Sequence, residues 1–243
     1  MGIFAVVIDG RPVGHRAWGR IASERLFKLL IAAPGHRLRR EAAAETLWPE
    51  MDPHHQEVNL RKALHFARRA IGPGRPIVCY GSVLRFADHV VVRLDLDRWL
   101  AEVDRIARRK AKVPLDPQSD PQLDELLRLG QAGVLPDDQY EERLARLRER
   151  VSVRWRELAL EVAESLMQGG RHPLARTVLD AILANDPADE DAHRLSIMSL
   201  NAEGRHHAAR RQFLTCRREL AEAFGSDPSP ETVEALGGVP PPP

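Results

Sequence analysis

Apolar residues recur along this chain with two different periods. Residues 3–8, Ile-Phe-Ala-Val-Val-Ile, form a β-rich run, Asp9-Gly10 is a hairpin turn signal, and Arg11-Pro-Val13 begins a return strand. From Ala22 the period lengthens. Leu26, Leu29, Leu30 and Ala33 recur at helical spacing, with Ser23 or a neighbour as the cap and Pro34-Gly35 as the stop. A short second helix is predicted over residues 40–48, burying Ala43, Ala44, Leu47 and Trp48. A turn marked by Pro49 and Pro53 leads into a third helix closed by Gly72 and Pro73. At roughly 100° per residue, Leu60, Leu64, Ala67 and Ile71 share a narrow arc of that third helix. Asn59, Lys62, His65, Phe66 and Arg69 face away from the arc, with Arg61 and Arg68 on its flank. Two short β-runs, Ile77–Tyr80 and Val83–Phe86, joined by Gly81-Ser82, make a hairpin directly after the helix. Strands, three tightly connected helices and a hairpin in this order predict a winged helix-turn-helix.

Beyond Asp95 only the helical period remains. Asp95-Leu-Asp97 caps a predicted helix reaching about residue 112, with Trp99, Leu100, Val103 and Ile106 inward. Residues 113–121 form a Pro-rich polar loop. A short helix over 123–131 and Gly133-Val-Leu-Pro136 then lead into a long helical region, 138–168, whose Glu141, Glu142, Arg146, Arg148, Glu149 and Arg150 read as a salt-bridged solvent face. Next comes an internal repeat. Gly170-Arg171 returns as Gly204-Arg205, Ala175 as Ala209, Leu179 as Phe213 and Leu166 as Leu200, each 34 residues on. That is the period of tetratricopeptide repeats, paired antiparallel helices packed through small residues. Two such units are too few to stand alone, so the helices before them must complete the stack. Asp227-Pro-Ser-Pro-Glu-Thr232 starts a last short helix. The expected organisation is mainly α: a winged helix with short β-strands over 1–93, an all-α tetratricopeptide-like domain over 94–236, and a disordered tail over 237–243.

Composition narrows the class. Of 243 residues, 43% are hydrophobic and 29% charged, which suits a globular protein and excludes a fibre or a wholly disordered chain. No apolar run is long enough to span a bilayer, no secretory signal pattern opens the chain, and Val6 breaks the myristoylation pattern that Gly2 would begin, so the protein is expected in the cytoplasm, away from membranes. Two distant cysteines, Cys79 and Cys216, fit a reducing compartment. The net charge of +1 conceals an asymmetry: residues 1–95 hold 15 Lys+Arg against 9 Asp+Glu, a surplus of six, and the rest holds 21 against 26. A basic first half points to a polyanion partner, an acidic second half to protein contacts.

The third helix carries the candidate chemistry. A helix with one apolar face and Lys, Arg, Asn and His opposite can enter a DNA major groove, where Arg and Lys pair with guanine edges and Asn with adenine. The same pattern also describes an ordinary amphipathic helix with a solvated basic face. The candidate DNA contacts are Asn59, Arg61, Lys62, His65, Phe66, Arg68 and Arg69 on the helix, with Arg75 and Arg85 of the wing, and Arg93 beyond it, as phosphate contacts. Catalysis finds no support. There is no phosphate-binding Gly-x-x-x-x-Gly-Lys-Ser/Thr loop, no Gly-x-Gly-x-x-Gly turn and no Gly-x-Ser-x-Gly elbow. His54-His55 and His206-His207 are adjacent, so their side chains diverge rather than share a metal, and the acidic residues Asp186, Asp189, Glu190 and Asp191 suit a helix cap better than a calcium loop. No catalytic residue, cofactor or metal site is expected.

Taken in order, Asp9-Gly-Arg-Pro-Val13, Ala33-Pro-Gly-His-Arg37, Leu47-Trp-Pro49, Asn59-Leu-Arg61 with Arg68-Arg-Ala-Ile-Gly72, Leu94-Asp-Leu-Asp-Arg-Trp99, Gly133-Val-Leu-Pro136 and Asp227-Pro-Ser-Pro-Glu-Thr232 resemble the SARP family, the Streptomyces antibiotic regulatory proteins. In that family an OmpR-type winged helix precedes a bacterial transcriptional activator domain. The resemblance covers nearly the whole chain. It implies a transcription activator that binds double-stranded DNA at direct repeats near promoters, as a homodimer or side by side, and recruits RNA polymerase. Two departures stand out. Family members usually have a further strand before the glycine that Gly2 resembles, so either the start is late or the sheet is smaller. Phe66 stands where Arg is common and His65 where Ser is common, which removes one DNA contact; an outward Phe66 would touch a thymine methyl or pack on the neighbouring domain. Phe66 also sustains an alternative: a tetratricopeptide-like protein-interaction or ligand-sensing module whose degenerate winged helix binds no DNA.

Overall fold

The structure is a computed structural model describing every residue except Ile3, Arg75, 110–113, 136–141 and 238–243. Arg75, Pro136, Glu141, the predicted end of one helix at 112, the predicted start of another at 138 and the tail after Gly237 therefore lie outside the described residues. The chain divides into two units, one made of residues 1–94 and 134–149, the other of 95–133 and 150–243.

In the first unit β1 (Val7–Ile8) pairs antiparallel with β2 (Arg11–Pro12) across a turn in which Asp9 and Gly10 both take positive φ. The strand is shorter than predicted: ladder pairing is confined to Val7–Ile8, Phe4 and Val6 pack on the helical core, and Val13 N donates to the Val6 carbonyl (2.8 Å). α1 (Ile21–Ala32), α2 (Arg40–Leu47) and α3 (Pro53–Ile71) enclose Trp18, Leu26, Leu30, Leu47, Leu60, Leu64 and Ile71. Removing each such side chain from water contributes about 1.5–3 kcal/mol. Two sequence expectations need correcting. Ser23 does not cap α1; Arg20 occupies that position, and the buried Ser23 Oγ makes no hydrogen bond among the described residues. Trp48 is half-buried after the last turn of α2, its backbone N–H donating to Ala44 (2.9 Å).

A further strand was not anticipated. β3 (Arg37–Arg39) joins β4 (Ile77–Tyr80) and β5 (Val83–Phe86) in an antiparallel sheet ordered β3-β5-β4. Its register sets Leu38 opposite Leu84, both buried. Only one buried position in three residues leaves too little alternation to announce a strand.

Among the described residues, the regular secondary structure of the second unit is all helical. α4 (Asp95–Arg109) and α5 (Pro121–Ala132) precede α6 (Glu142–Gln168), whose residues from Arg150 onward belong here. α5 starts earlier than expected because Asp120 caps it, accepting from Gln122 N (3.1 Å) and Leu123 N (3.3 Å). Indole N–H groups of Trp99 and Trp155 donate to Leu126 O (2.9 Å) and Leu127 O (3.0 Å), and both rings close on Gly130, where a Cβ would lie 2.3 Å from Trp155.

α7 (His172–Asn185), α8 (Glu190–Ala202) and α9 (His206–Phe224) carry the 34-residue repeat. Gly170 and Gly204 share a φ of 71° that favours glycine. Arg171 N donates to Leu166 O at 2.8 Å and Arg205 N to Leu200 O at 2.9 Å, so both copies turn by the same hydrogen bonds. Ala175, Ala209, Leu179 and Phe213 are all buried. α10 (Pro230–Glu234) starts at Ser229, whose hydroxyl accepts from Thr232 N, and Leu236 behind it packs with Ile197 and Phe213.

Candidate nucleic-acid interface

The start of α3 is built by Asp52 and Pro53. The Asp52 carboxylate accepts from His54 N (3.0 Å) and His55 N (3.2 Å) and pairs with the His55 ring, which holds its pKa below the usual value. Pro53 presets φ at the first helical position, where no N–H is needed. Leu60, Ala63, Leu64, Ala67 and Ile71 are then buried on one side, which turns Arg61, Lys62, His65 and Arg69 to solvent.

These exposed groups differ in their commitments. Arg61 Nε donates to Glu57 (2.9 Å), a carboxylate that also pairs with Arg40 at the start of α2. Lys62 and Arg69 have no ion pair among the described residues, and the His65 ring meets only the edge of Phe66, 5.5 Å between centroids. Spaced three and seven residues apart, Lys62, His65 and Arg69 form one continuous stripe. Asn59 is half-buried, its side-chain amide 3.2 Å from Met51 Sδ. Two expected contacts are turned inward. Arg68 Nε donates to Ile77 O (2.7 Å), tying the end of α3 to the first strand of the hairpin. Phe66 is half-buried against Gly19, with the Arg20 guanidinium 5.4 Å from its ring centroid.

The hairpin β4–β5 stands beside α3. Arg40 N donates to Ser82 O (2.8 Å), which anchors its tip to α2. Arg85 pairs with Asp88, and that hydrogen bond lowers the Asp88 pKa and raises that of Arg85. Arg93 is exposed. Sequence reasoning missed three groups here. Arg37 and Arg39 flank buried Leu38 on β3, and Arg37 lies opposite Arg85 in register, which adds two exposed guanidinium groups to the sheet. Tyr80 is 77% exposed at the hairpin tip. The Arg-Leu-Arg alternation and an aromatic residue before Gly-Ser were the available signals.

Among the described residues no group of three or more His, Cys, Asp or Glu could hold a metal ion, and no helix is long and apolar enough to cross a membrane. His206 Nδ1 meets Asn201 Oδ1 (3.0 Å), while Asp189 caps α8 by accepting from Ala192 N (3.0 Å) and also pairs with Arg156.

Residues 94–237, more than half of the chain, match the family model described as the bacterial transcriptional activator domain. The chain belongs to the bacterial transcriptional activator domain family. It is a SARP-type regulator, and this family consists of transcription regulators rather than enzymes. Among solved structures, this SARP-type chain is similar to Mycobacterium tuberculosis EmbR, determined in complex with a low-affinity phosphopeptide, with a TM-score of 0.72 and 18% identity. The match covers 97% of this chain but 62% of that one, so this chain spans less than two thirds of the EmbR length; at that identity the likeness concerns the fold. No curated protein matches the SARP-type chain in sequence.

Proposed function

We propose that this regulator is a sequence-specific, DNA-binding transcription activator acting in the cytoplasm. In this reading residues 1–93 form the DNA-binding domain and 94–236 the activator domain. α3 enters the major groove, two or more copies stand on direct repeats near a promoter, and the bound protein recruits RNA polymerase. The observation that carries the reading is the Lys62–His65–Arg69 stripe on α3, whose two cations have no partner among the described residues. A B-form major groove is about 12 Å wide and admits one helix, with Arg and Lys pairing to guanine O6 and N7. Arg37, Arg39, Arg85 and Arg93 serve as backbone contacts that orient the helix without reading sequence. The inward Phe66 and Arg68 support the frame of the site rather than its contact surface.

The test is selection of fragmented genomic DNA by the purified protein, sequenced at low and at physiological salt. Enrichment of a short direct repeat upstream of genes supports the reading and names the targets. A folded protein that enriches nothing at either salt would overturn it in favour of an interaction module without DNA binding.

A further inference from the structure

Phe66 lies on α3 one turn after Lys62, and its ring is half-buried. Gly19 lies against it with φ at +66°, and a Cβ there would come within 2.8 Å of the ring, so glycine lets the ring approach this closely. The next residue, Arg20, places its guanidinium 5.4 Å from the ring centroid, within the range of a cation–π contact. Arg20 is exposed and makes no ion pair among the described residues. Glu24, one turn along α1, is engaged by Lys28 (2.8 Å) and His15 (2.9 Å). The aromatic ring thus carries a cation from the start of α1 to the exposed edge of α3.

We propose that Arg20 is a DNA phosphate contact of this protein and that Phe66 is its positioning residue, holding the guanidinium against the edge of α3. The inference rests on the DNA-binding reading above. A guanidinium held by a cation–π contact keeps its N–H donors available to phosphate oxygens and loses less side-chain freedom on binding than an unsupported arginine does. In this reading the aromatic residue of α3 does more than fill space. It recruits a cation from another helix.

The test measures binding of the full chain to a mixed-sequence duplex as a function of salt, since a phosphate contact is independent of sequence. Each phosphate contact contributes about 0.9 to the log–log slope. Arg20→Gln is expected to lower the slope by about that amount. Phe66→Leu, which keeps an apolar side chain but has no π face, should cause the same loss, with no further loss in the double variant. Phe66→Arg in the Arg20→Gln background should restore the slope, because it returns a cation to the same edge. A full slope in Arg20→Gln, or losses that add in the double variant, would overturn the proposal. Arg20→Gln changes only an exposed side chain, so the test stands even if Phe66→Leu unfolds. Arg85→Ala separates the two readings: slope lost there but kept in Arg20→Gln overturns this inference alone, whereas no salt-dependent binding by the unaltered protein overturns both.

Discussion

Cations are used in opposite ways in the helical second unit and on the exposed face of α3. In the second unit several guanidinium groups are struts. Arg156 spans Asp189 and Asp191, Arg176 reaches Glu203 (2.7 Å) and Ser199 (2.9 Å), Arg171 pairs with Asp116, and Arg154 with Asp104 and Glu157. On the exposed face of α3 two cations are left over: Lys62 and Arg69 face solvent with no carboxylate among the described residues, while Arg61 is neutralised by Glu57. A count of charges does not separate these cases. Availability does, because a cation already held by a carboxylate must break that pair before it can bind a phosphate.

The comparison can be broken at four points. The largest effect is expected in the repeat core, where Phe213, 2% exposed, packs with Ile197, Leu200 and Leu236. Phe213→Ala should destabilise the second unit by about 3–5 kcal/mol, read as a lower midpoint of urea unfolding. A change within experimental error would mean that the repeat interface is not packed as described.

On the other side of the comparison, Lys62→Ala or Arg69→Ala should weaken specific DNA binding by about 1–3 kcal/mol while leaving thermal unfolding unchanged. If both variants bind normally, the stripe on α3 is a solvated face and nothing more.

Asp189→Asn probes the struts. It removes the carboxylate that Arg156 grips, and since Arg156 is 38% exposed, solvent screens part of the loss, so about 1–2 kcal/mol is expected in unfolding experiments. Acid should act in the same direction. The hydrogen bond from Arg156 holds the Asp191 pKa below its ordinary value, and the hydrogen bond from Ser119 does the same for Asp116. A carboxylate whose pKa is lower folded than unfolded contributes stability above the unfolded value, near 4, and that contribution disappears as pH falls through the lowered folded value. Stability of the second unit should thus decline below about pH 4, and Asp191→Asn should flatten that decline.

Arg61→Ala should have the smallest effect. An exposed i,i+4 pair with Glu57 contributes about 0.2–0.5 kcal/mol to stability, and an arginine so engaged should matter less to DNA affinity than Lys62 or Arg69. A loss in a filter-binding assay equal to that of Arg69→Ala would show that Glu57 releases Arg61 at the DNA.

Where a side chain's fate depends on its own helix, the sequence was readable. The apolar arc Leu60–Leu64–Ala67–Ile71 needs only the helical period, and the hairpin needs two apolar runs with Gly-Ser between them. The turns at Gly170 and Gly204 were legible because repetition shows twice what one copy shows weakly. Other features depended on a partner far along the chain. β3 exists because β5 offers it a pairing edge, and Arg68 turns inward because the Ile77 carbonyl lies within 2.7 Å. Ser23 looked like a cap by residue type, yet the chain enters α1 at Arg20 and buries it.

The order of elements, the amphipathic third helix and the 34-residue period were set by the sequence alone, because these follow from local periodicity and turn chemistry. Only the tertiary structure decided which cations remain unpaired, that Phe66 lies on Gly19 beneath Arg20, and which carboxylates the repeat arginines grip. Charge pairing and cation–π contact act over a few ångströms in space, and positions 19, 20 and 66 become neighbours only when α1 and α3 pack.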